Sequence, residues 1–182
     1  MSLLETIVAL AILLIVSIGI MTMATIAMTT TEDQGHLVAR AAEYAQDKME
    51  QLIALAYCDT ASDSAQFPTG PSGGTGLGDA ATCPPSPSFT LAGSGTVYGS
   101  SDPSSPVTGY VDYLDGNGTP LSIVGGAEPA TWFYIRVWKF EVPSGTTNLK
   151  KITVTAKVRS SIGSPAGALP QTTMVSWKSY PF

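Results

Sequence analysis

Positive charge is missing from the start of this chain, where Arg40 is the first Lys or Arg. A secretory signal peptide carries Lys or Arg before a short apolar core, so this N-terminus departs from that pattern. Proline is also absent before Pro68, and Tyr44 is the first aromatic residue. Because no proline interrupts it, the N-terminal segment can form a single helix, predicted over residues 1–57.

Histidine and cysteine are scarce, with only His36, Cys58 and Cys83. The chain has no CxxC metal motif and too few histidines for a His-rich metal site. Neither thiol has an obvious His partner, and the carboxylates are scattered rather than paired. The sequence therefore argues against an enzyme and predicts no cofactor. The two cysteines are consistent with a disulfide in an oxidising compartment, or with two free buried thiols.

Charge is absent from Thr6–Thr31, a run of 26 residues rich in Ile, Leu, Val, Ala and Met. As a helix this run would extend roughly 39 Å, enough to cross a bilayer core of about 30 Å. A plain single-span anchor explains the run but not Glu5 at its head, because a carboxylate beside an apolar core is costly without a positive partner. The nearest cation is the α-amino group of residue 1, in the same chain or in a neighbouring subunit displaced by one helical step.

The opening residues, with the pattern S-L-L-E-x-x-V-A-L-A over Ser2–Ala11, resemble the processed N-terminus of the type IV pilin superfamily. The resemblance covers residues 1 to about 55 and is nearest to minor pilins of the PilV kind and to I-type minor pseudopilins of type II secretion. In that family a short basic leader is cut off before residue 1, and the prepilin peptidase N-methylates the new terminus, here Met1. Residue 5 of the family is Glu, as it is here.

The resemblance implies an α+β fold, in which a long N-terminal helix packs on a C-terminal antiparallel sheet. Residues 1–27 would be the protruding transmembrane segment and filament core. The sheet of residues 109–182 would share one globular domain with helix residues 30–57. Many major pilins have proline at position 22, whereas this chain has Thr22. We therefore predict that the helix loosens only mildly around Gly19 in a filament.

A structural subunit of an extracellular type IV pilus-like filament is the function that the resemblance implies. The expected partners are identical or homologous pilin subunits, the prepilin peptidase and the assembly machinery, with the inner membrane as the location before assembly. Glu5 would pair with the N-methylated Met1 of a neighbour. One alternative is a minor pilin or type II secretion pseudopilin at a filament tip. Another is a monomeric, membrane-anchored binding domain. Adhesion, motility, secretion and DNA uptake are not separated by the sequence.

The segment 58–108 is rich in Gly, Ser, Pro and Thr and reads as a loop between helix and sheet. Cys58 at the helix end and Cys83 would pin half of it. Closing a loop of about 25 residues is worth roughly 3.5 kcal/mol in the chain-entropy model.

Beyond the loop, alternating and β-branched stretches predict antiparallel strands. The predicted strands are Gly109–Leu114, Leu121–Val124, Thr131–Val142, Leu149–Arg159 and Gln171–Lys178. Asn117-Gly118 between the first two is a hairpin signal. Asp112, Asp115 and Asn117 also resemble part of a calcium loop, but the EF-hand spacing and its closing Glu are missing, so we favour a plain hairpin.

Charge divides the chain into an acidic part and a basic part. Residues 1–130 carry a net charge of −11, and residues 131–182 carry +6. We expect the two to meet within a subunit or across subunit boundaries, the alternative being solvated charges. Nucleic acid is not an expected partner of the basic strand. One helix face is predicted to pack on the sheet, with Lys48 among the residues on other faces. That face comprises Val38, Ala41, Ala42, Ala45, Met49, Leu52, Ile53 and Ala56.

Overall fold

One long helix precedes a six-stranded antiparallel sheet in the computed structural model, which confirms the α+β fold. The structure describes residues 2–55, 57, 97–123, 127–143, 149–160 and 169–179. Met1, Cys58 and Cys83 lie outside these ranges. The elements are α1 (Leu3–Ala54), β1 (Val97–Gly99), β2 (Val111–Leu114), β3 (Pro120–Leu121), β4 (Tyr134–Glu141), β5 (Leu149–Val158) and β6 (Gln171–Ser179).

Helix α1 begins after Ser2, whose side chain accepts a hydrogen bond from the Glu5 backbone N–H, as expected of a serine N-cap. Its 52 residues extend about 78 Å. Leu37 is the first buried residue of the helix. The helix ends at Ala54, and the following residue, Leu55, has an extended backbone with φ −63° and ψ 153°. The N-terminal half therefore projects from the domain, and the C-terminal half packs on the sheet.

The strands are ordered β3-β2-β4-β5-β6, and β1 pairs with the end of β4 that β2 leaves uncovered. Pairing of Tyr113 with Leu121 confirms the predicted β2–β3 hairpin, although β3 is shorter than predicted. The turn is closed by a hydrogen bond from the Asp115 N–H to the Thr119 carbonyl, 2.9 Å. Strand β1 falls in the segment that the sequence analysis assigned to a loop. It was not predicted because three residues are too few to show a period of two.

The main core lies between the helix and the inner face of the sheet. Ile152, Val154, Ala156 and Val158 of β5 are fully buried there, as their alternation predicted. The helix residues that cover them are Leu37, Ala41, Ala45, Lys48, Met49 and Leu52. The predicted face was therefore partly wrong. Val38 and Ile53 remain 44% and 42% exposed, whereas Lys48 is fully buried.

A second, smaller core lies on the opposite face of the sheet. Val111, Tyr113, Ile135 and Val137 form it, and Leu121, Ile123 and Trp132 from the connection between β2 and β4 pack over them. The sequence did not predict that this connection folds back across the sheet. The domain thus buries two apolar layers of its own, independently of the projecting half of the helix.

Candidate membrane and assembly surface

The projecting part of α1 presents a long apolar surface, here named the apolar shaft (Leu3–Met28), whose single charged residue is Glu5 in its first turn. Its sixteen large apolar side chains are each at least half exposed: Leu3, Leu4, Ile7, Val8, Leu10, Ile12, Leu13, Leu14, Ile15, Val16, Ile18, Ile20, Met21, Met23, Ile26 and Met28. Helix α1 is long and apolar enough to cross a membrane, judged by length and composition. Contiguous apolar surface of this extent marks a membrane or assembly interface.

The hydroxyl groups along the shaft and just beyond it are bound to the helix's own backbone. Thr6 donates to the Leu3 carbonyl at 2.8 Å, and Ser17 donates to the Leu13 carbonyl at 2.7 Å. Thr25, Thr29, Thr30 and Thr31 repeat the arrangement with carbonyls three or four residues earlier. A hydroxyl that has an internal acceptor costs less in lipid or in a helix bundle. The polar residues therefore do not interrupt the apolar shaft.

Gly19 and Thr22, where we predicted loosening, lie within continuous α-helix in this isolated subunit. The Thr22 hydroxyl donates to the Ile18 carbonyl and, at 3.4 Å, to the Gly19 carbonyl. The expected loosening concerns the assembled filament and stays a prediction.

Glu5 occupies the first turn of the shaft and is exposed. A carboxylate is favourable at a helix N-terminus, where the unpaired backbone N–H groups carry partial positive charge. Its expected partner, the α-amino group of Met1, lies outside the described residues. The pairing of Glu5 with a neighbour's terminus therefore stays a prediction.

Four charged residues join the helix to the sheet; we name Asp47, Lys48, Asp112 and Arg136 the charge cluster. Arg136 donates to both carboxylate oxygens of Asp112, with Nε–Oδ1 2.7 Å and Nη2–Oδ2 2.8 Å. Lys48 Nζ lies 2.8 Å from Asp112 Oδ2. Arg136 Nη1 lies 2.8 Å from Asp47 Oδ2 at the rim. The cluster connects α1, β2 and β4 through a bidentate pair, the strongest form of such a bond.

Burial and opposite charges act against each other on the pKa values of this cluster. For Asp112, burial raises the pKa, but the charges of Lys48 and Arg136 outweigh it and hold the pKa below the ordinary value. For Lys48, burial lowers the pKa, and Asp112 opposes that shift without cancelling it. For Arg136, burial lowers the pKa, yet Asp112 and Asp47 leave it raised. The carboxylate of Asp112 is thus charged because it has two buried cations.

Two lysines of the sheet bind carbonyl groups, one at the C-terminal end of α1 and the other just beyond it. Lys178 of β6 donates to the carbonyls of Ile53 and Leu55. Lys150 of β5 is buried and donates to the Tyr57 carbonyl at 2.7 Å. Cations are favourable here because the last carbonyls of a helix carry partial negative charge. These two lysines of the basic region thus act within the subunit, and Arg136 of the same region binds Asp47 and Asp112 of the acidic region there, as one of the sequence-based expectations held.

The residues of the weak calcium candidate do not converge. The Asp112 carboxylate points to the helix, where it binds Lys48 and Arg136. The Asp115 carboxylate accepts hydrogen bonds from the backbone N–H groups of Asn117 and Thr119, both at 2.8 Å. Within the described ranges, no group of three or more His, Cys, Asp or Glu residues is placed to hold a metal ion.

Sequence reasoning missed the charge cluster, although one signal for it was present. Lys48 continues the three- and four-residue spacing of the buried positions Ala41, Ala45 and Leu52. Arg136 likewise lies on the same face of β4 as the buried aromatic residues of that strand. A charged residue in phase with the core of both elements indicates a buried ion pair between them.

Comparison with known proteins finds no matching family model, curated protein or solved structure. The fold itself, a long apolar N-terminal helix followed by an antiparallel sheet, is compatible with a pilin-like architecture.

Proposed function

We propose that this chain is a structural subunit of an extracellular type IV pilus-like filament, which polymerises through the apolar shaft. The observation that carries the proposal is the exposure of all sixteen large apolar side chains of the shaft, beside a domain that has two cores of its own. Such a surface is stable only in lipid or against other apolar helices. A filament subunit uses both environments in turn.

The proposed mechanism is mechanical, and it requires no catalytic residue. Before assembly the subunit is anchored in the inner membrane, which residues 1–27 span. Extraction then exchanges lipid contacts for contacts with neighbouring shafts in a filament core. Glu5 sets the axial register by pairing with the N-terminal amine of the next subunit, which removes two unpaired charges from an apolar setting.

This function also requires that the position of the shaft in the filament determines the position of the domain. Helix α1 passes without a break from the shaft into the domain. The charge cluster on one side and Lys150 and Lys178 on the other hold its C-terminal half on the sheet. A subunit placed by its shaft would thereby place its sheet on the filament surface.

Imaging and mass spectrometry of filaments sheared from the producing cells test this proposal. We expect filaments in which this chain is the main protein and in which the apolar shafts form the centre. Trace amounts confined to filament ends would instead favour a minor pilin or pseudopilin at the tip. Presence of the protein only in membranes, as a monomer, would favour an anchored binding domain and overturn the proposal.

A further inference from the structure

The turn between β2 and β3 carries a motif that the proposed function does not use. Asn117 is followed by Gly118 and Thr119, which matches the acceptor pattern of N-linked glycosylation: Asn, any residue except proline, and then Ser or Thr. The pattern alone is weak evidence, because it recurs by chance in many sequences. An acceptor must also lie in an exposed segment of an exported domain, so the structure around Asn117 decides what the motif means.

Asn117 is exposed at the tip of this short turn. The turn is closed at its base by the hydrogen bond from the Asp115 N–H to the Thr119 carbonyl, and the Gly118 N–H donates to the Asp115 carbonyl at 3.1 Å. Glycines stand on both sides of Asn117, and a Cβ atom on Gly116 would meet nothing within 4 Å. The turn therefore leaves open space beside the acceptor position.

The fold gives no reason of its own for an asparagine at position 117. Asparagine is common in turns because it tolerates a left-handed backbone and because its side chain binds backbone groups two residues on. Among the described residues φ is positive only at glycines, so the first reason does not apply. The second role belongs to Asp115, whose Oδ1 accepts from the Asn117 and Thr119 N–H groups, both at 2.8 Å. Within the same ranges, the side-chain amide of Asn117 forms no hydrogen bond.

The turn lies on the domain's side of the membrane. Gly118 packs against Tyr44 of α1. Tyr44 follows Met28, the last residue of the shaft, by 16 residues, which correspond to about 24 Å of helix. Asn117 is therefore outside the bilayer when the shaft spans it, on the side to which the domain is exported.

We propose that Asn117 is the acceptor of an N-linked glycan. In the transfer, Nδ2 of Asn117 forms a bond to the anomeric carbon of a sugar, and the bond from that carbon to a diphosphate breaks. The donor is an oligosaccharide joined through diphosphate to a membrane lipid. The lipid diphosphate leaves with the electron pair, and one amide proton passes to a base of the transferase, so nothing is oxidised or reduced.

The residues around Asn117 carry groups that a transferase recognises chemically. Thr119, two residues after Asn117, has a hydroxyl group, and Asp115, two residues before it, has a carboxylate that a cationic side chain would bind. The lipid-linked donor is confined to a membrane, as the chain is before assembly. The inference rests on the part of the proposed function that anchors the chain and exports its domain, and it does not depend on the filament.

Mass spectrometry of the full chain, purified separately from membranes and from sheared filaments of producing cells, tests the site. We expect a peptide in which Asn117 carries the added mass of sugar residues in at least half of the molecules, located by fragmentation that leaves the sugar on its side chain. Asn148 is the only other asparagine of the chain, and Lys150 stands where the pattern requires Ser or Thr. It is the internal control and should carry no sugar.

Three variants separate glycosylation from other modifications. Asn117→Gln and Thr119→Val should each reduce the glycosylated fraction at least twentyfold at normal membrane levels, whereas Thr119→Ser, which keeps the hydroxyl group, should retain it to within threefold. Asn117→Gln should leave the fold intact, because the exposed amide has no hydrogen bond among the described residues. Hydrolysis of the Asn117 amide without any sugar, or sugar attached only to other residues, would overturn the proposal.

The two fractions also separate this inference from the proposed function. Glycosylated chain in membranes of cells that form no filaments from it would support the acceptor site and overturn the filament function. Chain that is unmodified at Asn117 in both fractions, with filaments present, would overturn the acceptor site and leave the filament function standing.

Discussion

Lys48 of helix α1 and Asp112 of strand β2 form an ion pair beneath the surface, with 2.8 Å between Nζ and Oδ2 and at most 3% of either side chain exposed. Arg136 binds the same carboxylate from β4. Three charges therefore meet in a place where the rest of the core is apolar. Their arrangement permits one register of the helix on the sheet, since a shift would leave a buried charge without its partner.

Asp112→Asn should destabilise the domain more than any other single change in the charge cluster. The substitution leaves Lys48 and Arg136 buried without their shared anion, and loss of one partner of a buried pair typically costs about 3–5 kcal/mol. Chemical unfolding of the full-length protein in detergent micelles measures the effect. Asp47→Asn is the control, because Asp47 is 56% exposed and should contribute less than about 1 kcal/mol. Equal effects of both changes would contradict the assigned roles.

Stability should decrease in acid through the same carboxylate. The folded-state pKa of Asp112 is lowered from its ordinary value of 3.8. Its contribution is therefore fully present above about pH 5, where the unfolded-state carboxyl is ionised too, and is lost as pH falls through the lower folded-state pKa. The difference in unfolding free energy between the unaltered chain and Asp112→Asn should shrink steadily from about pH 5 to pH 2. A difference that stays constant over that range would show that ionisation of Asp112 is not its source.

The β2–β3 turn provides a matched pair of glycine substitutions. Gly118 has φ +87°, and a Cβ atom there would lie 2.5 Å from the Tyr44 hydroxyl oxygen. Gly118→Ala should cost about 1–3 kcal/mol, from backbone strain and from displacement of Tyr44 on α1. Gly116→Ala in the same turn meets nothing within 4 Å and should change stability by less than about 0.5 kcal/mol. Thermal unfolding that ranks the two changes in the opposite order would contradict the packing of the turn on the helix.

The cysteines are expected to form a disulfide, because export would bring both to an oxidising compartment. Mass spectrometry of the native protein under non-reducing conditions should find a peptide that links Cys58 to Cys83. Two thiols that react with an alkylating reagent would contradict the pairing.

Elements that are specified by a local sequence pattern were the predictable part of this fold. The long uncharged run without proline predicted α1, and the alternation of Ile152, Val154 and Ala156 predicted which side of β5 faces the core. Asn117-Gly118 predicted the hairpin, since local turn chemistry determines it. Each of these signals is a pattern within one continuous segment of sequence.

Features that depend on distant partners were not predictable. Lys48 was assigned to a helix face other than the one that packs on the sheet, and its burial is favourable only through Asp112, far away in sequence. The passage of Ile123 and Trp132 across the outer face depends in the same way on packing against Ile135 and Val137. The candidate functional site was thus predictable for the shaft, which is local, and not for the charge cluster.

Glu5 is the residue on which the proposed filament assembly most depends. It is an exposed carboxylate at the head of a run of 26 residues without charge. A membrane anchor would gain from losing it, so Glu5→Ala should reach normal membrane levels. In a filament the same change would leave an N-terminal amine unpaired among apolar helices, at a typical cost of about 3–5 kcal/mol, less at an interface with water. We therefore expect little or no incorporation of Glu5→Ala into filaments, whereas Glu32→Ala, which removes an exposed carboxylate beyond the run, should assemble normally. Quantifying each variant in membrane and filament fractions decides the matter: Glu5→Ala that assembles as well as Glu32→Ala would show that the carboxylate does not set the register.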